Sequence, residues 1–167
     1  MAEKIPGGSE RGLTDRPRTE RYRDLITQSK GLIDGIPDTV SALANLTALI
    51  KEKFPEFFWV GFYLVKGESL ILGPFQGTTA CFHIGKGKGV CGTAWAENRT
   101  MIVDDVTDFP GHIACSTLSK SEIVIPVRQE GQVVAVLDID STQKKAFGEQ
   151  DGHNLEQLSE IIATSFK

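Results

Sequence analysis

Two pairs of apolar, strand-forming runs, each joined by a short glycine-bearing turn, commit the middle of this chain to antiparallel sheet. Residues 57–65 and 69–76 are rich in aromatic and aliphatic side chains and are separated by Lys66-Gly67-Glu68. Residues 122–128 and 132–141 alternate as a second hairpin around Gly131. Helical periodicity brackets both pairs. Tyr22, Leu25, Ile26, Leu32 and Ile33 predict a first helix ending near Gly31 or Gly35. Val40, Leu43, Ala44, Leu46, Thr47 and Ile50 form an apolar stripe behind a cap at Asp38 or Thr39. Leu155, Leu158, Ile161 and Ile162 give the buried face of a closing helix over 149–166. Between the hairpins, residues 81–84 and 101–103 suit short strands, 85–92 reads as a turn-rich loop, and 93–98 as at most a short helix. Hairpins flanked by helices predict an α+β domain: a central antiparallel sheet with the N- and C-terminal helices packed on one face.

Residues 1–19 are polar and rich in glycine and proline, and read as a flexible leader; 20–167 read as a single domain. A net charge of -4, with no basic block interleaved with aromatics, argues against nucleic acid as a partner. No apolar run is long enough to cross a bilayer, so no membrane partner is expected. The N-terminus lacks the apolar stretch of a secretory signal. A cytoplasmic, reducing location is therefore expected, where structural disulfides are uncommon.

All three cysteines, Cys81, Cys91 and Cys115, fall between residues 81 and 115. A lone cysteine is usually a small buried hydrophobe. Three together beside glycine turns suggest chemistry. The spacing Cys-x9-Cys-x23-Cys fits no zinc pattern, and His83, His112 and His153 show no metal-ligand spacing; they read as surface or structural residues, and no metal is expected. Cys91 sits near a helix start, where exposed N–H groups would lower a thiol pKa. Cys115 lies in an irregular loop after Gly111-His112, where solvent access is expected. One thiol to attack and another to resolve would need no cofactor.

Carboxylates form the second cluster. Asp138 and Asp140 lie two apart on a strand and share a face, about 7 Å from one another. A three-residue loop, Gln129-Glu130-Gly131, would set Glu122 opposite Asp138 on that face, and the glycine favours it. A two-residue loop would set Glu122 opposite Ile139, on the other face. Three carboxylates on one face repel unless a cation or shared protons compensate, so a bound ammonium group or a metal ion is the functional reading. Solvent exposure at a strand end, with Asp140 capping a turn, is the plain one. Trp59 and Tyr63, four apart on a strand, share a face and suit either core packing or an aromatic wall beside those acids. Gly87-Lys88-Gly89-Val90-Cys91-Gly92 matches the dinucleotide-binding pattern of glycines, but hairpin neighbours and a helix of under two turns do not fit that use.

Taken in order, Trp59-Val60-Gly61-Phe62-Tyr63, Leu72-Gly73-Pro74-Phe75-Gln76-Gly77, Ala80-Cys81, Gly87-Lys88-Gly89-Val90-Cys91-Gly92-Thr93-Ala94, Gly111-His112-Ile113-Ala114-Cys115, Ser121-Glu122-Ile123-Val124 and Leu137-Asp138-Ile139-Asp140-Ser141 resemble the free methionine-(R)-sulfoxide reductases, a single-domain branch of the GAF fold. The resemblance runs from about Ser41 to the closing helix. It implies Cys115 as the thiol that attacks the sulfoxide sulfur, Cys81 as the resolving thiol and Cys91 as an auxiliary or alternative one. It places Glu122, Asp138 and Asp140 as the substrate-binding carboxylates and Trp59 and Tyr63 as the wall around the methylthio end. It further implies free methionine sulfoxide as substrate, a thioredoxin-type reductant as partner and, by analogy with GAF domains, a homodimer through the helical face. A non-enzymatic GAF module binding a small ligand, or a thiol redox sensor, is the alternative reading.

Overall fold

The computed structural model describes residues 15–167. Of the expected leader, residues 1–14 lie outside the described residues, and Arg18 and Thr19 already belong to the first helix. The elements run α1 (Arg18–Ile33), α2 (Thr39–Lys53), β1 (Trp59–Lys66), β2 (Ser69–Gln76), β3 (His83–Gly85), α3 (Gly89–Glu97), β4 (Met101–Val103), a short 3-10 turn (Val106–Asp108), β5 (Ser121–Gln129), β6 (Gln132–Ser141) and α4 (Glu149–Ala163). Asp38 caps α2 by accepting from the Ser41 N–H at 2.7 Å.

Six strands form one antiparallel sheet in the order β3-β2-β1-β6-β5-β4, which leaves β1 and β6 at the centre. Period-two alternation sorts their side chains between two cores. Val60 and Phe62 of β1, Ile123, Ile125 and Val127 of β5, and Ala135, Leu137 and Ile139 of β6 are buried against Tyr22, Leu25, Leu43, Leu46, Leu155 and Leu158. Thus α1, α2 and α4 share one face, as the sequence predicts. Tyr22 and Arg18 of α1 both donate to Asp151 Oδ1 of α4 at 2.6 Å, which ties the two ends of the chain together. The opposite residues, Trp59, Tyr63, Val124 and Val136, pack with Val90, Ala94 and Trp95 of α3.

The β5–β6 hairpin departs from both expected registers. Gln129 pairs with Gln132, so the loop is the two-residue Glu130-Gly131, with φ of 50° and 78°. Both values suit the tight hairpin turn that matches strand twist. That loop alone would turn Glu122 away from the aspartates. A bulge between Val127 and Arg128 shifts the ladder by one residue, so Glu122 stands opposite Asp140 and on its face.

Helix α3 begins at Gly89, within the stretch expected to be loop. Gly87 and Gly89, at φ of 75° and 59°, steer the chain into it. A side chain at Gly92 would strike the Gly85 carbonyl, so that position is held by packing.

Candidate active site

The α3 face of the sheet ends in a cleft where β1 starts, β6 finishes and β5 starts. Trp59 pairs with Asp140 and Gly61 with Asp138 across β1–β6, while Glu122 pairs with Asp140 across β5–β6. All three carboxylates and both aromatics therefore leave the sheet on one side. The space they bound is about 530 Å³, including its open mouth, and α3 and the loop carrying His112 and Cys115 close it.

The aromatic wall is fixed by its surroundings. Trp59 stacks on Phe75 at 5.2 Å between centroids and on Tyr63 at 6.1 Å. Its Nε1 donates to the Thr78 carbonyl at 3.0 Å. The Trp59 ring lies over Gly61, where any Cβ would collide with it. The Tyr63 hydroxyl donates to the Cys81 carbonyl at 3.0 Å, so the wall also anchors the segment that carries a cysteine. Burial, then the Asp138 charge, raises the Tyr63 pKa and keeps it a neutral donor.

Cys81 and Cys115 are joined as a disulfide, with their Cα atoms 5.4 Å apart. Both residues are partly exposed. Cys91 is outside the bond, a free and buried thiol in the first turn of α3, with Sγ 3.8 Å from Glu122 Oε1. The helix terminus does not lower its pKa, contrary to the expectation from position. Burial, followed by the charges of Asp138 and Glu122, pushes the thiol well up.

The carboxylates are held in the same way. Glu122 and Asp138 are buried and Asp140, nearer the mouth, is partly exposed. Burial, reinforced by the Asp138 and Asp140 charges, raises Glu122 well above the usual carboxylate range. Burial raises Asp138 to about 6, against hydrogen bonds from Glu122 and Cys91 that pull it down. Burial and the Asp138 charge raise Asp140 well up, opposed by a hydrogen bond with Ser119. No cationic side chain is among the groups that shift any of the three. Asp138 Oδ1 is buried without a hydrogen-bond partner. Such a cage is completed by protons or by a cation entering from the cleft.

Two further residues belong here that sequence reading passed over. His112, read as surface or structural, lines the cleft with Nε2 at 4.0 Å from Glu122 Oε2. Burial lowers its pKa, so it stands there as neutral imidazole. Ser119 supports Asp140. The signal for His112 was its place beside Cys115; no spacing rule marks it.

The GAF domain family matches residues 40–166. The chain is 43% identical to the free methionine-R-sulfoxide reductase of Escherichia coli strain K12 over 152 residues, 89% of this chain and 92% of that protein. Its fold superposes, at a TM-score of 0.88 and 44% identity, on the free methionine-R-sulfoxide reductase of Neisseria meningitidis in complex with its substrate, covering 90% of this chain and 91% of that one. The chain belongs to the free methionine-R-sulfoxide reductase family. It is also 51% identical over 146 residues to GAF domain-containing protein A of Dictyostelium discoideum, 87% of this chain and 92% of that protein. Every residue that the reductase resemblance singled out, Cys115, Cys81, Cys91, Trp59, Tyr63, Glu122, Asp138 and Asp140, lines the one cleft or bonds to a residue that does. Among the described residues no helix is long and apolar enough to cross a membrane.

Proposed function

We propose that the protein reduces free methionine (R)-sulfoxide, and that the observation carrying this reading is a carboxylate trio, Glu122 and Asp138 of it buried, in the same cleft as a reducible cysteine pair. A free amino acid brings an ammonium group that compensates one charge of the trio; a methionine residue inside a peptide has none to offer. The methylthio end then lies against Trp59 and Tyr63. Lys88 also lines the cleft, and we assign it the substrate carboxylate. Backbone N–H groups of the Gly111–Cys115 loop are a second candidate for that role, though those of His112 and Cys115 already donate to the carbonyls of Phe109 and Ile113.

With the disulfide reduced, the Cys115 thiolate attacks the sulfoxide sulfur. The S–O bond breaks, the oxygen passes to Cys115 as a sulfenic acid, and methionine leaves reduced by two electrons. A carboxylic acid of the Glu122, Asp138 and Asp140 set, kept protonated by burial and by its neighbours, supplies the proton that the departing oxygen needs. The Cys81 thiol then condenses with the sulfenic acid, releasing water and forming the disulfide. A thioredoxin-type dithiol restores both thiols by exchange. Exposed Phe82 beside Cys81 and Leu118 near Cys115 give such a protein an apolar rim to approach. Cys91 stays a thiol throughout.

Turnover measured side by side on the R and S epimers, free and within a peptide, tests this reading. Activity confined to the free R epimer is expected; equal activity on the peptide would contradict it.

A further inference from the structure

The cleft holds a nucleophilic group that sulfoxide reduction leaves idle. Cys91 takes no part in the disulfide. Its sulfur and carboxylate oxygens of Glu122 and Asp138 all lie within 4.8 Å of one another. Asp138 points to a ligand independently, being 6% exposed with Oδ1 lacking any hydrogen-bond partner. His112 Nε2, 4.0 Å from Glu122 Oε2, stands beside this group and outside it. One thiol sulfur and two carboxylate oxygens make a three-ligand donor set for a cation of intermediate softness, with a fourth coordination position left open to water.

We propose that Cys91, Glu122 and Asp138 form a three-ligand binding site for a divalent cation of the Zn2+ class, overlapping the seat of the substrate ammonium group. A metal–sulfur bond replaces the S–H bond of Cys91 and the proton leaves to solvent, with no change of oxidation state. The ligands come from α3, β5 and β6, which is why no close pair of ligands marks the site in the sequence. Because Cys91 lies outside the disulfide, the site persists whether Cys81 and Cys115 are bonded or reduced. The site stands on this geometry alone; only competition with substrate rests on the reductase reading.

The oxidised protein provides the test, because Cys91 is then its one remaining thiol. Titration with Co2+ alone is expected to give, at one equivalent, a thiolate-to-cobalt charge-transfer band in the near ultraviolet that Zn2+ then bleaches. Cys91→Ser should lose the band, and Glu122→Gln should keep it while weakening binding about 10-fold or more. His83→Asn, altering an exposed residue of β3, should leave both unchanged. Cooperative melting of each metal-free variant checks that it is folded. No band at millimolar Co2+, or a band that survives Cys91→Ser, overturns the site. In turnover assays, Zn2+ that raises the apparent KM supports the overlap, and bound Zn2+ that leaves KM unchanged overturns it. The absorbance readout needs no turnover, so failure of the reductase reading would be seen separately.

Discussion

Glu122 stands directly opposite Asp140 across the β5–β6 ladder, with Asp138 two pairs further along on the same face. Burial raises the pKa of all three acids, and for Glu122 and Asp140 the charges of their neighbours add to it. The cage is thus a place where the fold gives up stability for binding.

Replacing Glu122 by Gln should therefore stabilise the protein while impairing it. A carboxylate whose folded pKa exceeds its unfolded value of about 4.3 binds more protons in the folded state, so stability falls as pH rises above that value towards the folded one. Near pH 4 the two proteins should melt together. At pH 7–8 the variant should melt higher, by about 2–4 °C for each kcal/mol relieved, with lower kcat/KM on the free sulfoxide. Equal melting at both pH values would contradict the electrostatic account.

The two bonded cysteines should fail differently. Cys115→Ser should abolish turnover. Cys81→Ser should form one equivalent of methionine per protein and then stop, leaving an oxidised Cys115 visible by mass spectrometry. Sustained turnover by Cys115→Ser would contradict its assigned role.

Gly61→Ala places a methyl group where the Trp59 ring and Phe75 now lie. It should destabilise the fold by about 1–3 kcal/mol, read by denaturant melting, and raise KM by displacing the wall. The rate at which dithiothreitol reduces the disulfide should be unchanged.

Much of this arrangement was readable in the sequence. Alternation along β6 puts Leu137 and Ile139 against the helices and Asp138 and Asp140 on the other face, with no tertiary information needed. The register of Glu122 was not readable, because the bulge at Arg128 has no side-chain signature and reverses what a two-residue loop implies. The start of α3 was hidden in glycines that usually mark loops. The raised pKa of Cys91 comes from burial first and then from acids far along the chain, which together outweigh the helix end that position alone suggests. His112 enters the cleft only through the path of its loop.

Phe82 is 81% exposed beside Cys81, an unusual place for an aromatic ring. Phe82→Ser should slow turnover driven by a thioredoxin-type protein about 5-fold or more, as loss of an interface anchor would. Turnover driven by dithiothreitol should not change. Equal slowing with both reductants would assign the ring to the fold instead.

The carboxylate cage is proposed to read a free amino group. Comparing kcat/KM for methionine (R)-sulfoxide with that for its N-acetyl derivative tests it directly, since acetylation removes the ammonium charge and leaves the sulfoxide intact. A fall of about 100-fold or more is predicted, the consequence of leaving buried charge uncompensated. Equal values for the two substrates would contradict it.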